Sequence, residues 1–158
     1  MKIMVVSDSH GRTDHLRKAY EKVKPVDLFI HLGDVEGDED EISSFVTCRS
    51  EYVCGNCDMM CRAPLDRLIE AGGKKIFLTH GHMYGYGDAA RVAEAGRRAG
   101  ADITLFGHTH LPLIRYDGGM LLLNPGSISK PRQDGHRPVF AILEINEKGQ
   151  VLPNIVQL

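Results

Sequence analysis

Three observations predict an α/β fold for this chain. An apolar run at Lys2 to Ser7 is followed by an amphipathic helix and a second apolar run at Asp27 to Leu32, the β-α-β pattern that implies parallel strands and a right-handed crossover. The second half instead carries glycine-punctuated pairs of apolar runs, the pattern of antiparallel hairpins. Finally, five apolar runs end in residues of the metal-ligand types, and in open α/β sheets ligands gather beyond the carboxyl ends of the strands.

Taken in order, Lys2 to Ser7 is nearly continuous in apolar residues, as a strand buried on both faces should be. The spacing of Leu16, Ala19, Tyr20 and Val23 predicts a helix over Arg12 to Lys24, with Thr13 as N-cap and Pro25 as stop. The acidic turn Gly37 to Glu41 lacks the spacing of an EF-hand and reads as a helix N-terminus, the helix running to about Thr47. A short strand follows at Glu51 to Cys54. Leu65 to Ile69 and Lys74 to Thr79 flank a Gly-Gly pair and read as a hairpin, with a helix over Pro64 to Ala71 as the rival reading. Asp88 to Ala99 reads as a helix capped by Asp88 or Gly87 and stopped by Gly100. A strand at Asp102 to Phe106, a hairpin of Leu113 to Tyr116 with Met120 to Leu123, and a last hairpin of Val139 to Ile145 with Val151 to Val156 complete the chain.

At 158 residues the chain is expected to be a single domain, 1–158, able to bury a substantial core. Lys+Arg 19 against Asp+Glu 21 leaves a net charge of -2, so the basic surface that nucleic-acid or anionic-membrane binding needs is not indicated. No apolar run approaches a membrane span, and the first residues enter a strand without signal-peptide layout. The expectation is a cytoplasmic protein with reduced thiols, acting alone or as a homo-oligomer.

The five strand ends hold the chemistry. They read Asp8-Ser9-His10, Gly33-Asp34, Gly55-Asn56-Cys57-Asp58, His80-Gly81-His82 and Gly107-His108-Thr109-His110. In extended chain, residues i and i+2 point to one side, so each pair is expected to face a common point. The set Asp8, His10, Asp34, Asn56, His80, His108 and His110 offers only oxygen and nitrogen, which suits Mn²⁺, Fe²⁺, Co²⁺, Ni²⁺ or Zn²⁺. Seven ligands are too many for one first-row ion and suit two that share a carboxylate. Two such metals are the machinery of phosphoester hydrolysis: they acidify a bridging water to hydroxide and neutralise charge on the phosphate.

These stretches resemble, in order and from residue 3 to residue 132, the five motifs of the calcineurin-like metallophosphoesterases. The small size, His80-Gly81-His82, and Asn124-Pro125-Gly126-Ser127 with Pro131-Arg132 are similar to the compact prokaryotic phosphodiesterases of that family. The resemblance implies a four-layer αββα sandwich with two mixed sheets and a dimetal site at the strand carboxyl ends. By motif, Asp8, His10, Asp34 and His110 would hold one ion, and Asp34, Asn56, His80 and His108 the other. It implies hydrolysis of a small phosphodiester, with Mn²⁺ the expected metal. A phosphomonoesterase on the same metals, or a non-catalytic scaffold of the same fold, are the alternatives.

One position departs from the family pattern. Cys57 stands where the third motif usually has the histidine that helps protonate the leaving group. A thiol is a poorer proton donor at neutral pH than an imidazolium. The catalytic candidates are therefore Asn56, Cys57 and His82, the last either facing the phosphate or serving its loop. Cys48, Cys54, Cys57 and Cys61 also imitate a cluster-ligand run, but Cys54 reads as a buried structural residue and Cys57 as part of the motif. His31 is expected to be buried and not a ligand, His15 and His136 solvated, Met59 and Met60 packed or, as the second reading, lining a pocket, and Thr109 a brace for a neighbouring loop or imidazole. Ser127 and Arg132 either approach the substrate or belong to an ordinary turn.

Overall fold

The computed structural model describes residues 1–158. Its strands form two five-stranded sheets of mixed direction. In the first sheet, β1 (Lys2–Val6), β2 (Leu28–His31) and β3 (Arg49–Tyr52) run parallel, and β9 (Val139–Ile145) and β10 (Val151–Gln157) add antiparallel strands beyond β1. The second sheet has the order β4 (Asp66–Ala71), β5 (Lys74–Thr79), β6 (Ile103–Leu105), β8 (Met120–Pro125) and β7 (Pro112–Asp117), with β5, β6 and β8 parallel and antiparallel strands at both edges.

Strand pleat explains the layers. Alternate residues of β1 and β2 (Ile3, Val5, Leu28 and Ile30) face Ile76, Leu78, Ile103, Leu105, Leu121 and Leu123 of the second sheet, so the largest core lies between the sheets. The intervening residues Met4, Val6 and Phe29 face outward, against Leu16, Ala19 and Tyr20 of α1 (Asp14–Val23) and Ile42 and Phe45 of α2 (Glu39–Phe45). On the far face of the second sheet, α3 (Ala89–Arg98) lays Val92 and Ala93 on Met120 and Leu122. The result is a four-layer αββα sandwich. Each fully buried aliphatic chain contributes roughly 1.5–3 kcal/mol on this accounting.

The hairpin of β4 and β5 is present, and the helical alternative over 64–71 is not. Asp88 caps α3 through its side chain, accepting hydrogen bonds from the amides of Ala90 and Arg91. Thr13 stands at the N-cap position of α1 but makes no side-chain cap bond; its hydroxyl donates instead to Glu41 at 2.6 Å, tying α1 to α2. Asn124 and Pro125 lie in β8 rather than in a turn. No helix is long and apolar enough to cross a membrane.

Candidate metal centre

Every predicted ligand follows a strand, but the extended-chain account of their aim is wrong. Asp8, His10, Asp34, Glu36, His108 and His110 all take left-handed backbone, with φ between +48° and +65°. Each such residue costs on the order of 1–2 kcal/mol. The loops, not the pleat, bring i and i+2 to one side. They are held by lacing: the Asp8 amide donates to Gly33 O (3.1 Å), that of His10 to Asp34 O (2.9 Å) and that of Gly11 to Val35 O (3.1 Å). The Asp58 carboxylate accepts from the amides of Asp34, Glu36 and Gly55, each at 2.7 Å. The hydroxyls of Ser127 and Ser129 donate to Asp8 O at 2.8 and 2.9 Å. Two glycines are required by close approach. A Cβ on Gly55 would lie 2.0 Å from Asp34 Oδ1, and one on Gly107 would lie 1.9 Å from Ser7 Oγ.

The ring nitrogens of three histidines are assigned by their partners. His80 Nδ1 lies 2.7 Å from Leu32 O and His110 Nδ1 lies 2.6 Å from Lys130 O. A carbonyl only accepts, so both Nδ1 atoms carry the proton. His10 Nδ1 lies 2.6 Å from Glu36 Oε1, which imposes the same tautomer. The three Nε2 lone pairs are left to converge on two carboxylates. His110 Nε2 is 3.1 Å and His10 and His80 Nε2 are each 4.0 Å from Asp8 Oδ1; His80 and His10 Nε2 are 3.5 and 3.7 Å from Asp34 Oδ2. His10 and His110 bring their Nε2 atoms to 3.3 Å, and His80 Nε2 is 3.1 Å from Asn56 Oδ1. Acceptors facing acceptors at these distances call for positive charge between them, supplied by a metal ion or by a second proton on an imidazole such as His80.

The electrostatics agree. Asp8 Oδ1 is fully buried and, apart from the His110 Nε2 contact at 3.1 Å, has no partner, so its negative charge calls for a cation. Burial pushes the Asp8 and Asp34 carboxyls up, but the hydrogen bonds and charge of His110 and His80 outweigh it and hold both below the usual carboxylate range. His80 shows the converse: burial works against its cationic form, yet Asp34 and Asp8 raise its pKa. For His108 and His82, burial and the neighbouring His80 lower it. An oxygen and nitrogen donor set with an orphaned buried carboxylate oxygen fits divalent cations.

The other predicted residues lie around this centre. Asn56 is exposed, its Oδ1 against His80 Nε2 and its Nδ2 against Cys57. His108 stands at the edge, its ring 5.1 Å from the His80 ring and its amide donating to Asp8 Oδ2 at 3.2 Å. Cys57 receives a hydrogen bond from Asn56 Nδ2 at 3.3 Å, and its own amide donates to Asp34 Oδ1 at 2.9 Å. Burial and the Asp34 carboxylate push its thiol up to about 11. His82 lies 5.4 Å from His80 ring to ring, with Nδ1 buried and unpartnered.

His31 is fully buried, and its tautomer is the opposite one. The Gly33 amide donates to its Nδ1 (3.2 Å), so Nε2–H donates to Ser9 Oγ (3.1 Å) and no lone pair remains for a ligand. Thr109 Oγ1 accepts from Asn124 Nδ2 at 3.1 Å, the expected brace. Ser127 is a buried support of Asp8, and Arg132 Nη1 reaches only Thr109 O at 3.5 Å. His136 is exposed and His15 half-buried.

Two further expectations are corrected. Met59 and Met60 do not pack in the core: they are 92% and 96% exposed, and they line a surface pocket with Tyr52, Cys61 and Arg62, the second of the two readings. The thiols are not all reduced. Cys54 and Cys61 form a disulfide that closes a ring around Gly55 to Met60, which also excludes the cluster-ligand reading. Sequence reasoning missed Glu36 as the partner of His10, and Asp58 as the clamp on three amides. The signal for Glu36 was its spacing of two from Asp34. Glu36 also joins His10 and Cys57 in a group whose ligand atoms lie within 4.8 Å of one another.

Residues 1–148 match the model of the calcineurin-like phosphoesterase superfamily domain. The probable metallophosphoesterase MJ0623 of Methanocaldococcus jannaschii is 38% identical over 162 residues, covering 100% of this chain and 82% of its own. The phosphodiesterase YfcE of Escherichia coli is 28% identical over 158 residues, covering 84% and 82%. The crystal structure of wild-type Vps29 of Entamoeba histolytica, complexed with Zn²⁺, aligns with a TM-score of 0.76 at 26% identity, covering 99% of both chains.

Proposed function

The chain belongs to the calcineurin-like phosphoesterase superfamily, and from that premise we propose that it is a dimetal phosphodiesterase acting on a small phosphodiester. Asp8, His10, Asp34 and His110 would hold one ion, and Asp34, Asn56, His80 and His108 the other, with Asp34 shared. When bound, the ions supply an acidified water as nucleophile and positive charge for the phosphate. The observation that carries the reading is the tautomer pattern: His10, His80 and His110 each spend Nδ1–H on a fixed acceptor and turn Nε2 on Asp8 and Asp34. Such outer partners are the usual support of metal-binding imidazoles.

The remaining residues handle the substrate. Asn56 orients beside the shared carboxylate. Cys57 keeps its proton too firmly to release it readily, so His82, with an unpartnered Nδ1, is the rival donor to a poor leaving group, and because burial and His80 lower its pKa it serves as an acid better as pH falls. Mn²⁺ is the metal this mixed set suits, with Ni²⁺ or Co²⁺ as lesser substitutes. The likeness to Vps29 raises a scaffold reading, but every ligand position here is filled.

The test is hydrolysis of bis-p-nitrophenyl phosphate, with p-nitrophenyl phosphate as the monoester arm, before and after exhaustive chelation. Chelated protein is expected to be inactive and Mn²⁺ to restore the diester activity. Full activity in protein shown by elemental analysis to be metal-free overturns the reading. Cleavage of the monoester alone turns it to a phosphomonoesterase.

A further inference from the structure

The loop after the fourth motif, His82 to Gly87, carries two tyrosines with opposite surroundings. Tyr84 is anchored: its hydroxyl donates to Asp66 Oδ2 at 2.5 Å, and its side chain packs on the core under α3. Tyr86 is 85% exposed. It also stands in left-handed backbone at φ +59°, between Gly85 at +62° and Gly87 at +81°. Three successive residues in that region are unusual, and the middle one bears a large side chain that the region disfavours. Burial does not offset the cost, since the ring faces solvent.

The loop is fixed by its surroundings. The Gly87 amide donates to Gly81 O at 3.0 Å and that of Tyr86 to His82 O at 3.4 Å. A Cβ on Gly87 would lie 2.7 Å from Thr109 Cγ2, so the loop is pressed against the His108–His110 turn. The Tyr86 ring thereby stands beside the His108 imidazole, centroids 6.5 Å apart and planes within 27° of parallel. The neighbouring Met83 is 66% exposed. A strained, exposed aromatic ring at the edge of a row of imidazoles is placed to meet whatever occupies that row.

We infer that Tyr86 is a specificity residue: its free face stacks a flat ring carried on an ester arm of the substrate, so the substrate class is a phosphodiester bearing an aromatic or heteroaromatic ring such as a nucleoside. The inference rests on the phosphodiesterase reading for the reaction, while its binding consequence stands apart from turnover. A phosphate held against His80 and His108 would carry its ester arms past this ring, and stacking of a base on an aromatic side chain is tolerant of which base it is.

The experiment compares thymidine 5′-monophosphate with methyl phosphate as competitive inhibitors of bis-p-nitrophenyl phosphate hydrolysis, and as ligands of the Zn²⁺-loaded protein by calorimetry. Wild-type protein is expected to bind the nucleotide about tenfold or more tightly than methyl phosphate. Tyr86→Ala should bring the ratio to within about twofold by weakening the nucleotide alone, and Tyr86→Phe should keep it. A ratio near one in wild type, an undiminished ratio in Tyr86→Ala, or equal weakening of both ligands overturns the inference. Absence of diester hydrolysis removes the phosphodiesterase reading, and calorimetry then still decides the stacking.

Discussion

The two sheets bring different chemistry to the centre. The first, through the loops after β1, β2 and β3, supplies the carboxylates Asp8 and Asp34, with His10 and Asn56. The second, through the loops after β5 and β6, supplies the imidazoles His80, His82, His108 and His110. The anionic half is laced by backbone hydrogen bonds and clamped by Asp58. The imidazole half crosses the sheet interface for its own orientation: His80 Nδ1 donates to Leu32 O, at the end of the opposite sheet. Neither sheet holds all the candidate ligands, so they come together only when the sheets pack. Metal binding to such a centre favours the folded state and should stabilise it.

The largest break in this division is at its shared carboxylate. Asp34→Asn removes the charge that serves both halves, and turnover on the aryl diester is expected to fall by about a thousandfold or more, roughly 4 kcal/mol of barrier. Asn56→Ala and His108→Ala should lower it by smaller powers of ten. Near wild-type turnover in Asp34→Asn would show that the assignment of the centre is mistaken.

The next effect belongs to stability, not to the metal. Burial holds the buried His31 imidazole down to about 4, from an ordinary 6.5. The unfolded chain therefore takes up this proton near pH 6.5 and the folded chain only near pH 4. Between those values the unfolded state binds more protons, so this contribution is complete above pH 6.5 and is lost as pH falls toward 4, by roughly 3 kcal/mol. Urea unfolding at pH 7.5 and 4.5 should show a flatter dependence in His31→Gln than in wild type. Equal slopes would place the titrating group elsewhere.

A finer cut separates the orienting carboxylate from the ligands. Glu36→Gln keeps the size of the partner of His10 but weakens its hold on the imidazole. Metal affinity by competition titration is expected to drop about 10–100-fold while the fold stays intact. Unchanged affinity would mean that His10 needs no such partner.

The smallest expected effect tests the departure at Cys57. With its thiol held near 11, it gives up a proton poorly, so Cys57→Ala should alter aryl diester turnover by less than about tenfold, or 1.4 kcal/mol. Cys57→His should help most on alkyl esters, where the leaving group needs a proton. A large loss in Cys57→Ala at unchanged metal content would make the thiol itself catalytic.

The sequence by itself determined the order of the elements and the inventory of the centre, while the four layers followed only from the family resemblance. Hydrophobic periodicity is local, so Lys2 to Ser7, the glycine-marked hairpins and the Asp88 cap could be read directly, and the ligand types at five strand ends named the chemistry. Tertiary structure decided what depends on contacts far apart in the chain. The aim of Asp8 and His10 comes from a left-handed loop held by the carbonyls of Gly33 and Asp34, not from the pleat that spacing suggested. Which nitrogen of His80 or His110 faces the carboxylates is set by Leu32 O and Lys130 O, 48 and 20 residues away. His31 has the same side chain as its neighbours in the centre, and only its donors and acceptors in space make it a core residue and them the candidate ligands.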